Sequence, residues 1–186
     1  TTPRENGVVA PCGLQWAPHN RIDFDAVLER RAVSNHFFAR TALIRKSRLW
    51  RLLSSHARST GSDILNHVPE TFLVEITTPG RLAAVLHAVE RQVQKKGGDW
   101  VLKAGDSSNA HDMMFFRDSL DSVREVLGTT SRKEWVIQRS IPKPLLIQGR
   151  KCHLRVIVMV VGRTTAYIHD EALFLCASHP YKPEDL

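Results

Sequence analysis

Trp135-Val-Ile-Gln-Arg-Ser-Ile-Pro-Lys-Pro-Leu-Leu-Ile-Gln-Gly-Arg-Lys-Cys-His-Leu-Arg155, which runs directly into the apolar stretch Val156 to Val161, is the segment whose reading decides the fold. Two strand-like runs are joined through an elbow bounded by Pro142 and Pro144, residues with fixed φ and no backbone donor that do not continue a sheet ladder. The second run opens on a dense set of cations. Lys151 and Arg155 are four residues apart, so on a strand they share one face and both heads can converge on a single anion. That is the layout of a nucleotide hinge. The bland reading of the same residues is an edge strand running into Pro142, followed by a solvated strand face.

Working upstream, Thr71 to Ile76 is β-branched and aromatic and predicts a strand, which Pro79-Gly80 breaks. Leu82 to about Gln94 has the spacing of an amphipathic helix, and Lys95-Lys96-Gly97-Gly98 supplies the cations and glycine that favour a stop. Strands are expected at Trp100 to Lys103, Met113 to Phe116 and Trp135 to Gln138, with a helix near Ser119 to Leu127. The order after residue 70 is therefore β-α-β-β-α-β, an α+β sheet layered with helices. Leu154 to Val161 and Thr164 to His169 read as a hairpin around Gly162-Arg163. Before residue 70, short helices are expected at Phe24 to about Val33 and Ser47 to about His56, and the first twenty residues read as an extended arm. The expected units are residues 1–22 as arm, 23–70 as a small helical subdomain, 71–137 as a central subdomain and 138–186 as the start of a C-terminal one.

Composition bounds the function. With 186 residues, 42% hydrophobic and 24% charged, the chain can bury a core. No apolar run approaches the ~20 residues that cross a bilayer, and no signal-peptide block opens the sequence, so no membrane partner is expected. Thr1 in place of an initiator Met points to a longer protein or a cleaved targeting peptide. Cys12, Cys152 and Cys176 are widely spaced without a Cys-x-x-Cys pairing, which argues against a disulfide framework or zinc cluster and for an intracellular setting. The 26 Lys and Arg outnumber the 19 Asp and Glu, a net +7 that draws acidic partners. Glutamate-rich protein tails, RNA and ATP all answer that description. The aromatic residues are not interleaved with the cations as in a base-stacking platform.

The hinge segment resembles the tubulin-tyrosine ligase-like family of ATP-grasp enzymes, whose pattern here reads "Q-x-Y-I-x-x-P-L-L-I-x-G-R-K-F-D-L-R". Val33-Ser-Asn-His-Phe37, Leu43-Ile-Arg-Lys-Ser-Arg-Leu49, His67-Val-Pro-Glu-Thr-Phe72 and Trp100-Val-Leu-Lys103 are similar to further blocks of that family in the same order. The resemblance spans residues 33–185. It implies an ATP-grasp-like α+β fold, incomplete at the C-terminus, and an ATP-dependent ligase that joins an amino acid to a tubulin tail. Such an enzyme transfers a γ-phosphate to a carboxylate and lets an amine displace it, so cations must be aimed at the charge that develops. By the resemblance, Lys103 meets the α/β-phosphates, the backbone of Gln138, Arg139, Ser140 and Ile141 reads the adenine edge, and Lys46 and Lys151 are further cation positions around ATP. Arg155 takes the catalytic arginine place. The hinge strand and the strand bearing Lys151 and Arg155 are expected in two different sheets flanking a cleft, with Lys103 entering it from the other side. A tubulin-tail partner implies a cytoplasmic or cytoskeletal setting, with organellar import left open.

The departures from the family carry equal weight. The loop Ala104-Gly-Asp-Ser-Ser-Asn-Ala-His-Asp112 has one glycine and two aspartates where a glycine-rich flap is expected, and so offers phosphate a poor nest of amides. His153 stands at the family's aspartate, Cys152 at the phenylalanine beside it, Leu175 at an arginine and Ala172 at a glycine. Losing an arginine that faces a transferring phosphoryl group costs on the order of 10³-fold in rate. The family's magnesium ligands, an Asp and a Glu-x-Asn, lie beyond Glu184-Asp-Leu186, so Mg²⁺ is expected only with ligands from a further C-terminal part. His153, His169, Asp170 and Glu171 do not replace them. Two functions are therefore carried forward. One is a ligase by ancestry with impaired or absent catalysis, and the other is a degenerate ATP-grasp domain kept as a binding module in a microtubule or ribonucleoprotein assembly.

Overall fold

The computed structural model describes residues 13–107, 112–162 and 165–182. Cys12, loop residues 108–111, Arg163 and Thr164 of the expected turn, and Glu184-Asp-Leu186 lie outside the described residues. The first short elements are β1 (Leu14–Gln15), α1 (Phe24–Leu28) and β2 (Val33–Ser34), with β1 and β2 paired in parallel. Helix α1 starts at Asp23, whose carboxylate accepts from Ala26 N at 3.0 Å, a side-chain N-cap. It ends well before Val33, the expected limit: Arg30 takes a left-handed φ of 61° and turns the chain into β2. Then follow α2 (Thr41–Ile44) and α3 (Lys46–Thr60), the latter a turn longer than its apolar spacing suggested and closed by Gly61 in the left-handed conformation.

The rest of the chain forms β3 (Thr71–Glu75), α4 (Pro79–Lys96), β4 (Asp99–Ala104), β5 (Met113–Arg117), α5 (Asp121–Thr129), β6 (Glu134–Arg139), β7 (Leu146–Ile147), β8 (Arg150–Val161) and β9 (Thr165–Cys176). The expected β-α-β-β-α-β order is present. Pro79 and Gly80 do not break the chain here. They occupy the first turn of α4, where proline's missing N–H costs nothing, and the Thr78 hydroxyl caps Arg81 N at 3.3 Å.

Strands β3 to β6 make one antiparallel sheet in the order β3-β6-β4-β5, so the last strand inserts between the first and second. Alternation assigns its two faces. Val74, Trp100, Leu102, Ala104, Phe116, Trp135 and Ile137 point to one side, where they pack with Leu86, Val89 and Val93 of α4 and Val123 and Leu127 of α5. The spacing Leu82, Val85, Leu86, Val89, Val93 is the stripe that aims α4 at this sheet. Thr71, Leu73 and Glu75 of β3, Val101 and Lys103 of β4, and Glu134, Val136 and Gln138 of β6 point to the other side.

Strands β7, β8 and β9 form a separate sheet in that order. Both 12-residue strands of the β8–β9 hairpin extend beyond the expected limits, and nearly every side chain on them is exposed. Their register shifts between Val156 and Val158, leaving extra residues on β9 around His169 to Glu171, a β-bulge.

Candidate functional site

The second face of the four-stranded sheet carries the polar chemistry. Lys103, on central strand β4, donates from Nζ to Gln138 Oε1 at 2.7 Å. Gln138, on β6, in turn donates from Nε2 to the buried Thr71 hydroxyl of β3 at 2.9 Å, and that hydroxyl donates to Pro69 O at 2.8 Å. One hydrogen-bonded row thus crosses three strands, made possible because β6 lies between the other two.

Lys46 reaches the same end of β4 from the first turn of α3. Its ammonium donates to Ala104 O at 3.4 Å and to the backbone and side-chain oxygens of Ser107. Burial, and then the charge of Lys46, push the Lys103 pKa below the ordinary lysine value. Burial is also the main cause of a lowered pKa at Lys46, with Asp106 acting in the opposite sense and Arg45 adding to the fall. Lys103 has a neutral amide for a partner, and no ion pair to a carboxylate is made by it among the described residues. Two cations held close, one of them uncompensated, disfavour their own charged forms and would be stabilised by an anion.

Four residues, Ser47, Arg51, Glu134 and Gly105, strap α3 to the sheet and so fix Lys46. The Ser47 hydroxyl, only 2% exposed as a residue, donates to Glu134 Oε2 at 2.5 Å. Arg51, one turn on, pairs with Glu134 at 3.0 Å and with Glu75. Gly105 is the glycine that this closeness requires: a Cβ there would lie 2.9 Å from Ser47 Oγ and 3.0 Å from Glu134 O. Its own amide donates to Glu134 O at 2.9 Å. Sequence reasoning did not single out Ser47, Arg51, Glu134 or Gly105. The one available signal was the four-residue spacing of Ser47 and Arg51 on a single helix face. Beside this strap opens a cavity of about 520 Å³, lined by Arg45, Arg48, Arg132 and Lys133 against Asp106 and Glu134 among others.

At the hinge, Arg139 N donates to Glu70 O and Ser140 N donates to Asp99 O, both at 2.8 Å, so these amides are taken up in continuing the sheet. Ile141 is the next residue with an amide, is exposed, and precedes Pro142, which has none. β6 and β8 belong to different sheets, as the elbow implied. Lys151 Nζ sits 4.2 Å from the centre of the Tyr181 ring, a cation–π contact, and Tyr181 N donates to Gly149 O at 2.7 Å. Lys151, His153 and Arg155 share one face of β8, with Arg155 exposed and opposite Leu173. His153 is directly opposite Leu175, and Ala172 is opposite Val156. The structure therefore brings Lys46, Lys103 and Gln138 together, and Lys151 with Arg155. No hydrogen bond or ion pair joins the two groups among the described residues. Nor do the described residues hold a group of three His, Cys, Asp or Glu side chains that could bind a metal ion.

A four-stranded antiparallel sheet with a half-buried cation on its central strand, followed through an elbow by a hairpin with further cations, is an ATP-grasp arrangement. Among solved structures, the chain is similar to the C-terminal domain of K. lactis Pby1, described as an ATP-grasp enzyme interacting with the mRNA decapping enzyme Dcp2. The TM-score is 0.64, over 97% of this chain and 52% of that one, at 22% identity. The model of the tubulin-tyrosine ligase family matches residues 27–186, and the chain belongs to that family. A probable tubulin–tyrosine ligase of Schizosaccharomyces pombe is 27% identical over 91% of this chain and 52% of its own length. The human probable tubulin polyglutamylase TTLL2 is 26% identical over 82% of this chain and 25% of its own length, and the human tubulin monoglutamylase TTLL4 is 26% identical over 90% and 13%. The chain thus spans about half, or less, of the curated relatives it matches. No described helix is long and apolar enough to cross a membrane.

Proposed function

We propose that this chain is the nucleotide-holding part of an ATP-dependent ligase of the tubulin-modifying type, and that its own residues bind nucleotide without completing the transfer. The observation that carries this reading is the Lys46–Lys103 pair: two half-buried cations, of which Lys103 has its charged form disfavoured by burial and by Lys46, are stabilised by an incoming polyphosphate. Lys103 and Lys46 would hold phosphate oxygens, Gln138 would orient Lys103, and the Ile141 amide with the hinge carbonyls would meet the adenine edge. Lys151 and Arg155 would face the phosphates from the hairpin. Bound ATP supplies the phosphoryl group that activates a carboxylate.

Impaired transfer follows from where the departures fall. His153 and Leu175 are direct cross-strand neighbours on the face that carries Lys151 and Arg155, so the family's acidic and basic positions are altered together at one place. Groups that act as a unit are not additive, so restoring one of them recovers little. Magnesium coordination is not supplied by the described residues, and no step is assigned to it. The cavity rimmed by Arg45, Arg48, Arg132 and Lys133 supports an acidic partner, of which a glutamate-rich tubulin tail is the one the relatives favour. Such a partner would place the chain on microtubules.

Calorimetry with ATP, with and without magnesium, tests the nucleotide reading. Weak binding that changes little with magnesium and disappears in Lys103→Ala is expected. Tight, magnesium-dependent binding would show a complete site. In a ligation assay with labelled glutamate, tyrosine and glycine on tubulin tails, no incorporation is expected. Incorporation that depends on Lys103 and Lys151 would overturn the impaired reading.

A further inference from the structure

Cys152 and Cys176 are 24 positions apart in sequence and directly opposite each other on β8 and β9. Ala177 N donates to Lys151 O at 2.8 Å, which makes Lys151 and Ala177 a hydrogen-bonded pair of the ladder. The next pair, Cys152 with Cys176, is then of the non-hydrogen-bonded kind, whose side chains stand closest, with Cα atoms about 4.5 Å apart. That spacing lies within the range of about 4.4–6.8 Å that a disulfide spans. The two sulfurs are 3.0 Å apart, and both are free thiols, Cys176 exposed and Cys152 half-buried. The Cys152 thiol also donates to the carbonyl of Arg150 at 3.3 Å, which does not block the approach.

The register is a product of the β9 bulge. Extending the pairing found next to the turn, Val161 with Thr165, would set Cys152 opposite Phe174; the shift between Val156 and Val158 sets it opposite Cys176 instead. A dithiol has thus been brought to bond-forming geometry with the backbone of both strands already in place. Closing the remaining gap of about 1 Å needs side-chain rotation alone.

We propose that Cys152 and Cys176 are a reversible oxidation site, closing to a cross-strand disulfide that clamps the hairpin one residue from Lys151. The oxidant is a low-molecular-weight disulfide. The exposed Cys176 thiolate attacks one sulfur of that disulfide and expels one thiolate, leaving a mixed disulfide on Cys176. The Cys152 thiolate then attacks the Cys176 sulfur and expels the second thiolate. Two protein thiols are oxidised by two electrons, one external disulfide is reduced to two thiols, and the two protons released reside on those leaving groups. A dithiol reductant reverses the sequence. The proposal stands on the hairpin alone and does not require that the chain bind nucleotide.

The test is oxidation of the native chain with a glutathione redox couple, followed by trapping of remaining thiols and peptide mapping. The expected result is a monomer with a single linked peptide joining Cys152 to Cys176, two hydrogens lighter than the two reduced peptides, and with Cys12 outside the link. Hydrogen exchange across β8 and β9 should slow by on the order of 10-fold in the oxidised chain and recover on reduction. Cys152→Ser and Cys176→Ser should each hold a glutathione adduct on the remaining hairpin cysteine in place of the link, while Cys12→Ser forms the link as the parent does. Retention of both thiols at full oxidant, a link through Cys12, or a dimer joined through Cys176 would each overturn the assignment.

Discussion

The four-stranded sheet and the β8–β9 ribbon are built from equally apolar sequence and end up in opposite environments. Trp100, Leu102, Val74 and Ile137 have no exposed surface, whereas Ile157 is 58% exposed and Val158 53%. In the sheet, two helices with matching stripes, α4 and α5, cover the apolar face within the same stretch of chain. The ribbon has strand pairing and no apolar cover among the described residues, so its stability rests on cross-strand contacts and backbone bonds. A two-stranded ribbon of that kind is marginal in water. The difference separates what holds this molecule together from what it presents: the folding energy is in residues 71–139, and the hairpin cations are displayed on a lightly supported element.

The strongest way to break this contrast is truncation at matched positions. Trp100→Ala should cost about 3–5 kcal/mol, enough to unfold a marginal domain, because it empties a site with no exposed surface. Ile157→Ala should change stability by no more than about 0.5 kcal/mol, since its side chain is already in water. Urea unfolding followed by Trp fluorescence and circular dichroism measures both. Equal costs would mean that the ribbon is covered.

A smaller effect is expected where the site meets the core. Gly105→Ala introduces a Cβ 2.9 Å from Ser47 Oγ and 3.0 Å from Glu134 O, one of them backbone. Relief would shift α3 and loosen Lys46, at about 1–3 kcal/mol. Loss of nucleotide affinity larger than the loss of stability would place the strap in service of the site, and an unchanged urea midpoint would remove it.

The smallest effect is a pH dependence. The Ser47 hydroxyl, against the opposing effect of burial and with help from Arg51, holds the Glu134 carboxyl below its ordinary range. A carboxylate with a depressed folded pKa contributes stability that is present above its unfolded value, about 4.3, and is lost as pH falls through the folded value. The urea midpoint should therefore decline in that acid window, and Ser47→Ala should flatten the decline. A midpoint that rises on acidification would contradict the assignment.

How much of this was legible in the sequence differed by region for a physical reason. Trp100-Val-Leu-Lys103 was legible as a strand, and the two-residue period of a strand sets Lys103 on the face away from Trp100 and Leu102. The start of α4 was not legible at Pro79-Gly80, since a proline that ends one element and a proline at the first turn of the next look alike. The contact of Lys103 with Gln138 needed the order β3-β6-β4-β5, a tertiary choice that no local pattern states. The meeting of Cys152 with Cys176, read from spacing as two unpaired thiols, needed the bulge on β9. The family's blocks supplied Lys46, Lys151, Arg155 and the hinge, while the strap of Ser47, Arg51, Glu134 and Gly105 emerged from packing alone.

The central claim, that Lys103, a cation without a carboxylate partner among the described residues, is kept for an anion, is tested most directly by the thermal stability of Lys103→Met with and without ATP. Burial and Lys46 lower the Lys103 pKa, so the charged form opposes folding below its ordinary value and the apolar isostere removes that opposition. The variant is expected to melt at or above the temperature of the parent without ligand, and to lose the rise in melting temperature that ATP gives the parent. A variant that melts lower without ligand, or keeps the full ATP-induced rise, would contradict the claim.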